Sequence, residues 1–408
     1  MVAARGRARK FVVPSFFVGL KFCLAMNTEN NLRNQILSKV KKIVVKIGTG
    51  VLTTDDGYLD KTQIKGLAEQ VSGLKNMGYH VAVVSSGAIG SGMGELGITK
   101  RPATLPELQA VAAIGQSKLI SMYDECFKIH GYHAAQILLT REDFEDRQRY
   151  LNTCNTIHTL FQLNSIPVIN ENDTISVDEI RFGDNDALSA LVTNLLNAEL
   201  LIILSSVDGL YDKCPTAKSK ASVIPLVENV SDEVRGLAFN LKTQRGVGGM
   251  QTKLDAVSTV TNAGESVIIA NGRTSGILKR VVEGDNVGTL FLPKEEKLTS
   301  RKRWIAYTIK PKGKISIDDG AIHALKDKGK SLLASGIASV EGSFQKGDII
   351  SICRKGTDES IGRGLTNYSS DEIEKIKGCS TSHITRVLGY KLYDEVVHRD
   401  NMVILQEK

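Results

Sequence analysis

From residue 41 onward, short apolar runs alternate with longer segments whose apolar positions recur at helical spacing. Residues 43–47 are β-branched apart from Lys46 and stop at Gly48, and 81–84 stop at Ser85-Ser86-Gly87. Residues 134–139, 166–169, 200–204 and 267–270 repeat the pattern. Runs this short, bounded by polar or glycine residues, predict buried strands. Residues 63–77 have helical spacing and end at Gly78, a natural C-cap. Residues 105–129 predict one long helix or two joined ones, and 186–197 and 250–263 also suit helices. Strand–helix alternation predicts an α/β fold with a mostly parallel sheet covered on both faces.

The pattern changes after Phe291. Residues 293–303 are charged and polar, as in a linker, and short strands are predicted at 305–309, 314–317, 348–353 and 402–405. These read as a small β-rich domain. The expected division is an extension over 1–37, a large domain over 38–294, a linker over 295–310 and a small domain over 311–408. In the extension, four basic residues (Arg5, Arg7, Arg9, Lys10) precede the apolar stretch 11–20, which Pro14 and Gly19 interrupt. That stretch is too short to span a bilayer. The polar run after Met26 resembles an ordinary enzyme N-terminus, so a disordered extension, or a start assigned too early, is expected rather than a targeting segment.

Charge changes the picture only once it is located. The chain has 408 residues and a net charge of +7, but residues 1–40 hold seven basic residues against one acidic. Residues 41–300 hold 26 basic against 30 acidic residues, and 301–408 hold 19 against 14. The large domain is therefore slightly acidic, which argues against a wholly nucleic-acid-binding surface. The six cysteines form no C-x-x-C pair, and the seven histidines show no metal-ligand spacing. Both facts argue against a zinc site, and the first also argues against a disulfide scaffold.

Ligands of parallel α/β sheets bind at the carboxyl ends of the strands. Here those ends are Gly48-Thr49-Gly50, Ser85-Ser86-Gly87, Asn170-Glu171-Asn172-Asp173 and Ser205-Ser206, all polar or glycine-rich. Lys46 lies inside an apolar strand, where an unpaired ammonium is costly and a phosphate would be a fitting partner. Gly183-Asp184-Asn185-Asp186 opens a helix. Capping explains one of its polar residues and leaves Asp186 over. Gly246-Val247-Gly248-Gly249-Met250-Gln251-Thr252-Lys253 is a glycine-rich loop before another helix, and it is not the Walker pattern. Two lysines, glycine-rich loops and carboxylates on one sheet edge suit phosphoryl transfer. A carboxylate acceptor needs no general base, because a glutamate-like side chain with a pKa of ~4.3 is already ionised at neutral pH.

The motifs and their order resemble the glutamate 5-kinases of the amino acid kinase family, in the form that carries a C-terminal PUA domain. The matching stretches are VVKIGTG (44–50), VVSSGAIGSG (83–92), AAIGQSKL (112–119), LLTREDFEDRQRYLN (138–152), IPVINENDT (166–174), FGDNDALSA (182–190), GVGGMQTKL (246–254) and VGTLF (287–291). The resemblance implies a three-layer α/β/α sandwich that uses ATP and Mg²⁺ to phosphorylate L-glutamate, the first step of proline synthesis. It implies that Lys46 and Lys253 contact the transferring phosphate and that Asp186 orients both. It assigns Ser86, Asp173 and Asn185 to glutamate, and Lys46, Ser205, Ser206 and the loop Val247, Gly248, Gly249, Met250, Gln251, Thr252, Lys253 to ATP. It further implies a cytoplasmic homo-oligomer inhibited by proline.

Two departures from the family pattern are visible. Gly50 lacks the usual hydroxyl, and Ser205-Ser206 replaces a frequent Thr-Asp, which puts an acidic contact to nucleotide in doubt. The stretches 313–325, 331–352 and 396–402 resemble a PUA domain. Such domains elsewhere bind RNA, but stacking groups are sparse here, so a structural or regulatory role is expected ahead of RNA binding. Trp304, the one tryptophan, is expected to pack between the domains.

Overall fold

The computed structural model describes residues 31–405 apart from 55, 177–184, 216–220, 239–248, 295–297, 309 and 358. An eight-stranded sheet forms the centre of the larger unit. Its strands are β1 (Lys42–Ile47), β2 (His80–Ser85), β3 (Ala134–Leu139), β4 (Ile166–Glu171), β5 (Leu200–Ser205), β6 (Leu226–Val227), β7 (Ser266–Asn271) and β8 (Thr289–Phe291). The spatial order is β3-β4-β2-β1-β5-β7-β8-β6. The first six strands pair in parallel, and β8 runs antiparallel to β7. From β1 the chain builds outward through β2 to β4 and β3, then returns to β5 on the other side of β1. The switch point between β1 and β5 is where such sheets open a ligand crevice.

The helices that matter for the site are α1 (Lys61–Asn76), α2 (Ala88–Leu96), α3 (Leu105–Lys128), α4 (Arg147–Gln162), α5 (Asn185–Leu196) and α6 (Met250–Thr261). The region 105–129 is thus one helix, started by a capping box between Thr104 and Glu107. Gly78 takes a left-handed φ of 92° just past α1, which is why glycine stands there. The strands alternate sides along their length. Ile43, Val45 and Ile47 pack beneath α1 and α3 with Leu67, Leu119 and Tyr123. Val44 faces the opposite layer, where α4, α5 and α6 contribute Ile157, Leu188, Leu254 and Val257. Lys46 shares the parity of Val44, so a period of two aims its ammonium at the layer of α5 and α6.

Residues 31–37, expected within the extension, are helical and packed. Arg33 is buried and its guanidinium donates to the carbonyls of Asp285 and Val287, while Leu37 joins the core under β1. The expectation of disorder over 1–30 lies outside the described residues.

A second, five-stranded sheet contains β9 (Gly313–Ile317), β10 (Ile337–Gly342), β11 (Ile349–Arg354), β12 (Ser360–Leu365) and β13 (Met402–Ile404) in the order β10-β9-β11-β12-β13. It encloses its own core of Ile315, Ile317, Ile350, Ile352, Ile361, Tyr368 and Ile373. The strand predicted at 305–309 is corrected: Ser300–Arg303 form a helical turn and Trp304–Thr308 a π turn. The alternation of Ile305, Tyr307 and Ile309 suggested period two, but packing overrides it. Trp304, Ile305 and Ala306 are all buried against the larger unit. The Trp304 indole N–H donates to the Phe144 carbonyl at 3.0 Å, and Arg363 of β12 donates to the Ala306 carbonyl at 2.8 Å.

Candidate active site

The ends of β1 and β5 are tied by the Gly48 N–H, which donates to the Leu204 carbonyl at 3.1 Å. A Cβ on Gly48 would lie 3.3 Å from that carbonyl and 3.6 Å from Lys46 Nζ, so the small residue leaves room above the lysine. On the β2 side, the Ser86 N–H donates to the Ile47 carbonyl. Gly87 then turns the chain into α2 at a φ of 110°, a left-handed value that other residues rarely adopt.

Asp186 lies in the first turn of α5 with no solvent exposure, and Lys253 lies in the first turn of α6. Lys46 Nζ stands 2.5 Å from Asp186 Oδ1, and Lys253 Nζ stands 3.1 Å from Asp186 Oδ2. The Thr252 hydroxyl also donates to Asp186 Oδ2, at 3.0 Å. One carboxylate therefore holds two ammonium groups from different elements. All three residues are buried, at 3% (Lys46), 0% (Asp186) and 7% (Lys253) exposure. Two ammonium groups against one carboxylate leave the trio with one positive charge in excess, which suits an anion arriving at the two lysines. The N-termini of α5 and α6 favour the same sign of charge.

Beside this trio runs a chain of amide groups. Asn185 Nδ2 contacts Ser86 Oγ at 2.9 Å, Asn170 Oδ1 at 3.0 Å and the Ser85 carbonyl at 3.2 Å. Asn170 Nδ2 donates to Gln116 Oε1 at 2.9 Å. Below them the Ser85 hydroxyl meets the Tyr123 hydroxyl at 2.9 Å. Burial pushes the Tyr123 phenol well above its ordinary pKa, so it serves as a neutral anchor.

The structure thus gathers Lys46, Asp186 and Lys253 into one cluster, with Ser86 and Asn185 in an adjoining one. Asp173 follows β4 in a half-buried turn. Ser205 ends β5 and is buried, and Ser206 is exposed. Gly50 faces Ser206: a Cβ there would lie 3.7 Å from Ser206 Oγ, so the two departures from the family pattern are neighbours. Gly249 caps α6, and Met250, Gln251 and Thr252 fill its first turn. Val247 and Gly248 lie outside the described residues. Sequence reasoning did not single out Gln116 or Asn170 as site residues. Both lie in the quoted motifs, but an amide on a helix or at a strand end has an ordinary solvent-facing reading.

Comparison with known proteins shows the family. The chain belongs to the amino acid kinase family, which its residues 41–271 match, and residues 313–388 match the PUA domain. More particularly, it is 48% identical over 365 residues to a glutamate 5-kinase of Thermoanaerobacter sp. (strain X514), covering 90% of this chain and 98% of that protein. A glutamate 5-kinase of Geobacter sulfurreducens is 49% identical over 375 residues, covering 92% of this chain and all of the relative. Among solved structures, UMP kinase from Bacillus anthracis aligns with 64% of this chain and 99% of its own at 16% identity, with a TM-score of 0.44.

Proposed function

We infer that the chain catalyses ATP-dependent phosphorylation of the L-glutamate side-chain carboxylate, giving glutamyl 5-phosphate, the first step of proline biosynthesis. The observation that carries this reading is the carboxylate of Asp186 holding Lys46 and Lys253 at the switch point of the sheet, in a chain about half identical to glutamate 5-kinases. A glutamate carboxylate oxygen bonds to the γ-phosphorus, the bond from that phosphorus to the β,γ-bridging oxygen breaks, and ADP leaves with the electron pair. No proton has to be removed from the acceptor. The barrier is the meeting of two anions, and fixed charges lower it most when they need no reorganisation.

In this reading Lys46 and Lys253 neutralise the transferring group and Asp186 fixes their positions. Ser86, Asn185 and Asp173 hold glutamate, with Asp173 facing its ammonium. Ser205, Ser206 and the loop from Val247 to Lys253 hold ATP. Among the described residues no three His, Cys, Asp or Glu side chains converge on one point. Both Asp186 oxygens are already engaged by lysines. That donor set fits Mg²⁺ carried mainly by the phosphates and water rather than by a protein cage. Bound so, the ion would supply further charge neutralisation at the β- and γ-phosphates.

Feedback inhibition by proline, a homo-oligomeric assembly, RNA contact through the PUA domain and a cytoplasmic location are finer parts of this reading, supported by the family resemblance. Among the described residues no helix is long and apolar enough to cross a membrane. Unchanged glutamate kinetics in saturating proline would remove the first of these. The main reading is tested by assaying ADP release over a panel of amino acids. Turnover with glutamate should exceed that with aspartate or acetylglutamate, and the reverse ranking would assign the chain to another carboxylate kinase of this fold. Salt-sensitive RNA binding without any ATP turnover would instead favour an RNA-associated regulator.

A further inference from the structure

The amide chain beside the lysines has a direction, and that direction can be read from one end. The Ser85 carbonyl only accepts hydrogen bonds, so the Asn185 side chain must turn its Nδ2 toward it. Asn170 must then present Oδ1 to the same Nδ2, which leaves Asn170 Nδ2 pointing away. At 2.9 Å from that nitrogen stands Gln116 Oε1, the acceptor that meets it and braces Asn170 from the far side. The outcome falls on Asn185. With its nitrogen committed inward, its Oδ1 accepts no hydrogen bond among the described residues and is left as an acceptor for a ligand.

Gln116 is 8% exposed, and its own Nε2 has no hydrogen-bond partner among the described residues. A buried donor left unmet is unfavourable, and a leucine or methionine would fill the same space without it. The side chain is therefore polar for the sake of its Oε1. Its place is also held tightly. The neighbouring Gly115 lies so close to α2 that an added Cβ would stand 1.8 Å from the Ala88 carbonyl oxygen, and a Cβ on Gly92 would stand 1.9 Å from the Val111 carbonyl oxygen. The start of α2 carries the Ser86-Gly87 turn. The same crossing thus fixes Gln116 and Ser86 relative to each other.

We propose that Gln116 is a positioning residue for glutamate: through Asn170 it braces the Asn185 amide in the orientation set by the Ser85 carbonyl, which offers Oδ1 to the substrate. This rests on the assignment of glutamate as the acceptor, and it adds a residue that does not itself take part in phosphoryl transfer. Glutamate affinity should therefore depend on Gln116, while ATP binding and the chemical step should not.

The test is steady-state kinetics of the full chain with glutamate and ATP varied separately. Gln116→Met keeps the volume and removes the acceptor. It should raise KM for glutamate about tenfold, the equivalent of one neutral hydrogen bond. KM for ATP and kcat should stay within about twofold on the same argument. Added to Asn170→Ala, it should raise KM no further, because both act through one path. Gln116→Glu retains an acceptor toward Asn170 and should stay within about threefold of the wild-type KM, and this variant decides the matter if the methionine variant does not fold. An unchanged KM in Gln116→Met, equal losses in both substrates, additivity with Asn170→Ala, or a tenfold rise in Gln116→Glu would each overturn the proposal. If the wild type does not turn over glutamate, the functional reading fails, and this proposal fails with it. Wild-type turnover with no shift in the variants sinks the proposal alone.

Discussion

At the scale of single residues, the site turns on a carboxylate that is worth more than its own charge. Asp186 is enclosed, and both its oxygens meet ammonium groups. Asp186→Asn would leave two buried cations without the carboxylate that holds them. Breaking a buried ion pair from one side destabilises by about 3–5 kcal/mol, and a loss of that order should appear in urea unfolding, together with loss of turnover. An unfolding midpoint equal to wild type would show that the lysines do not need it. Removing one preorganised cation instead, as in Lys253→Ala, should lower kcat on the order of 10²–10³ with the fold retained. Lys46 was legible in the sequence because a lysine inside a β-branched run demands a partner. Gln116 was not, because its significance lies in which way an amide faces.

At the scale of elements, the helix pair α2 and α3 positions the side of the site proposed to take glutamate. Gly92 and Gly115 let the two backbones approach to distances that a methyl group would violate. Gly115→Ala forces this crossing apart and should cost about 1–3 kcal/mol in denaturant unfolding, with a rise in KM for glutamate as Gln116 shifts away from Asn170. Equal stability and equal KM would mean that the crossing is slack. The six parallel strands were legible because each holds a short, largely apolar run that stops at a polar or glycine residue. The short strands β6 and β8 were not, since two or three residues carry too little pattern. The π turn at 304–308 imitates a strand in its alternation and is decided by contacts that come from 144 and 363.

At the scale of the whole molecule, the connection between the two sheets is part of the core. Arg303 is fully enclosed and pairs with Glu265 at 2.5 Å, and Trp304 inserts beside Tyr150 with the Arg147 guanidinium over its ring. Burial pushes the neighbouring Tyr307 phenol up to about 12, so it stays neutral through the physiological range. A polar, charged stretch in the sequence read as a linker, and its few apolar residues are what lock it down. Trp304→Ala should therefore destabilise the chain by about 3–5 kcal/mol. Calorimetry should show the loss in the larger unit, since the indole packs against Phe144 and Tyr150. A mild effect confined to the smaller unit would contradict this packing.

The central claim is that two lysines held by one carboxylate let an anionic phosphoryl group meet an anionic acceptor. The most direct measurement is trapping of the acyl phosphate with hydroxylamine when the full chain is given ATP, Mg²⁺ and L-glutamate, comparing wild type with folded Lys46→Met. The account predicts product from the wild type and at least about a hundredfold less from the variant. Near-equal rates in the two proteins would contradict it.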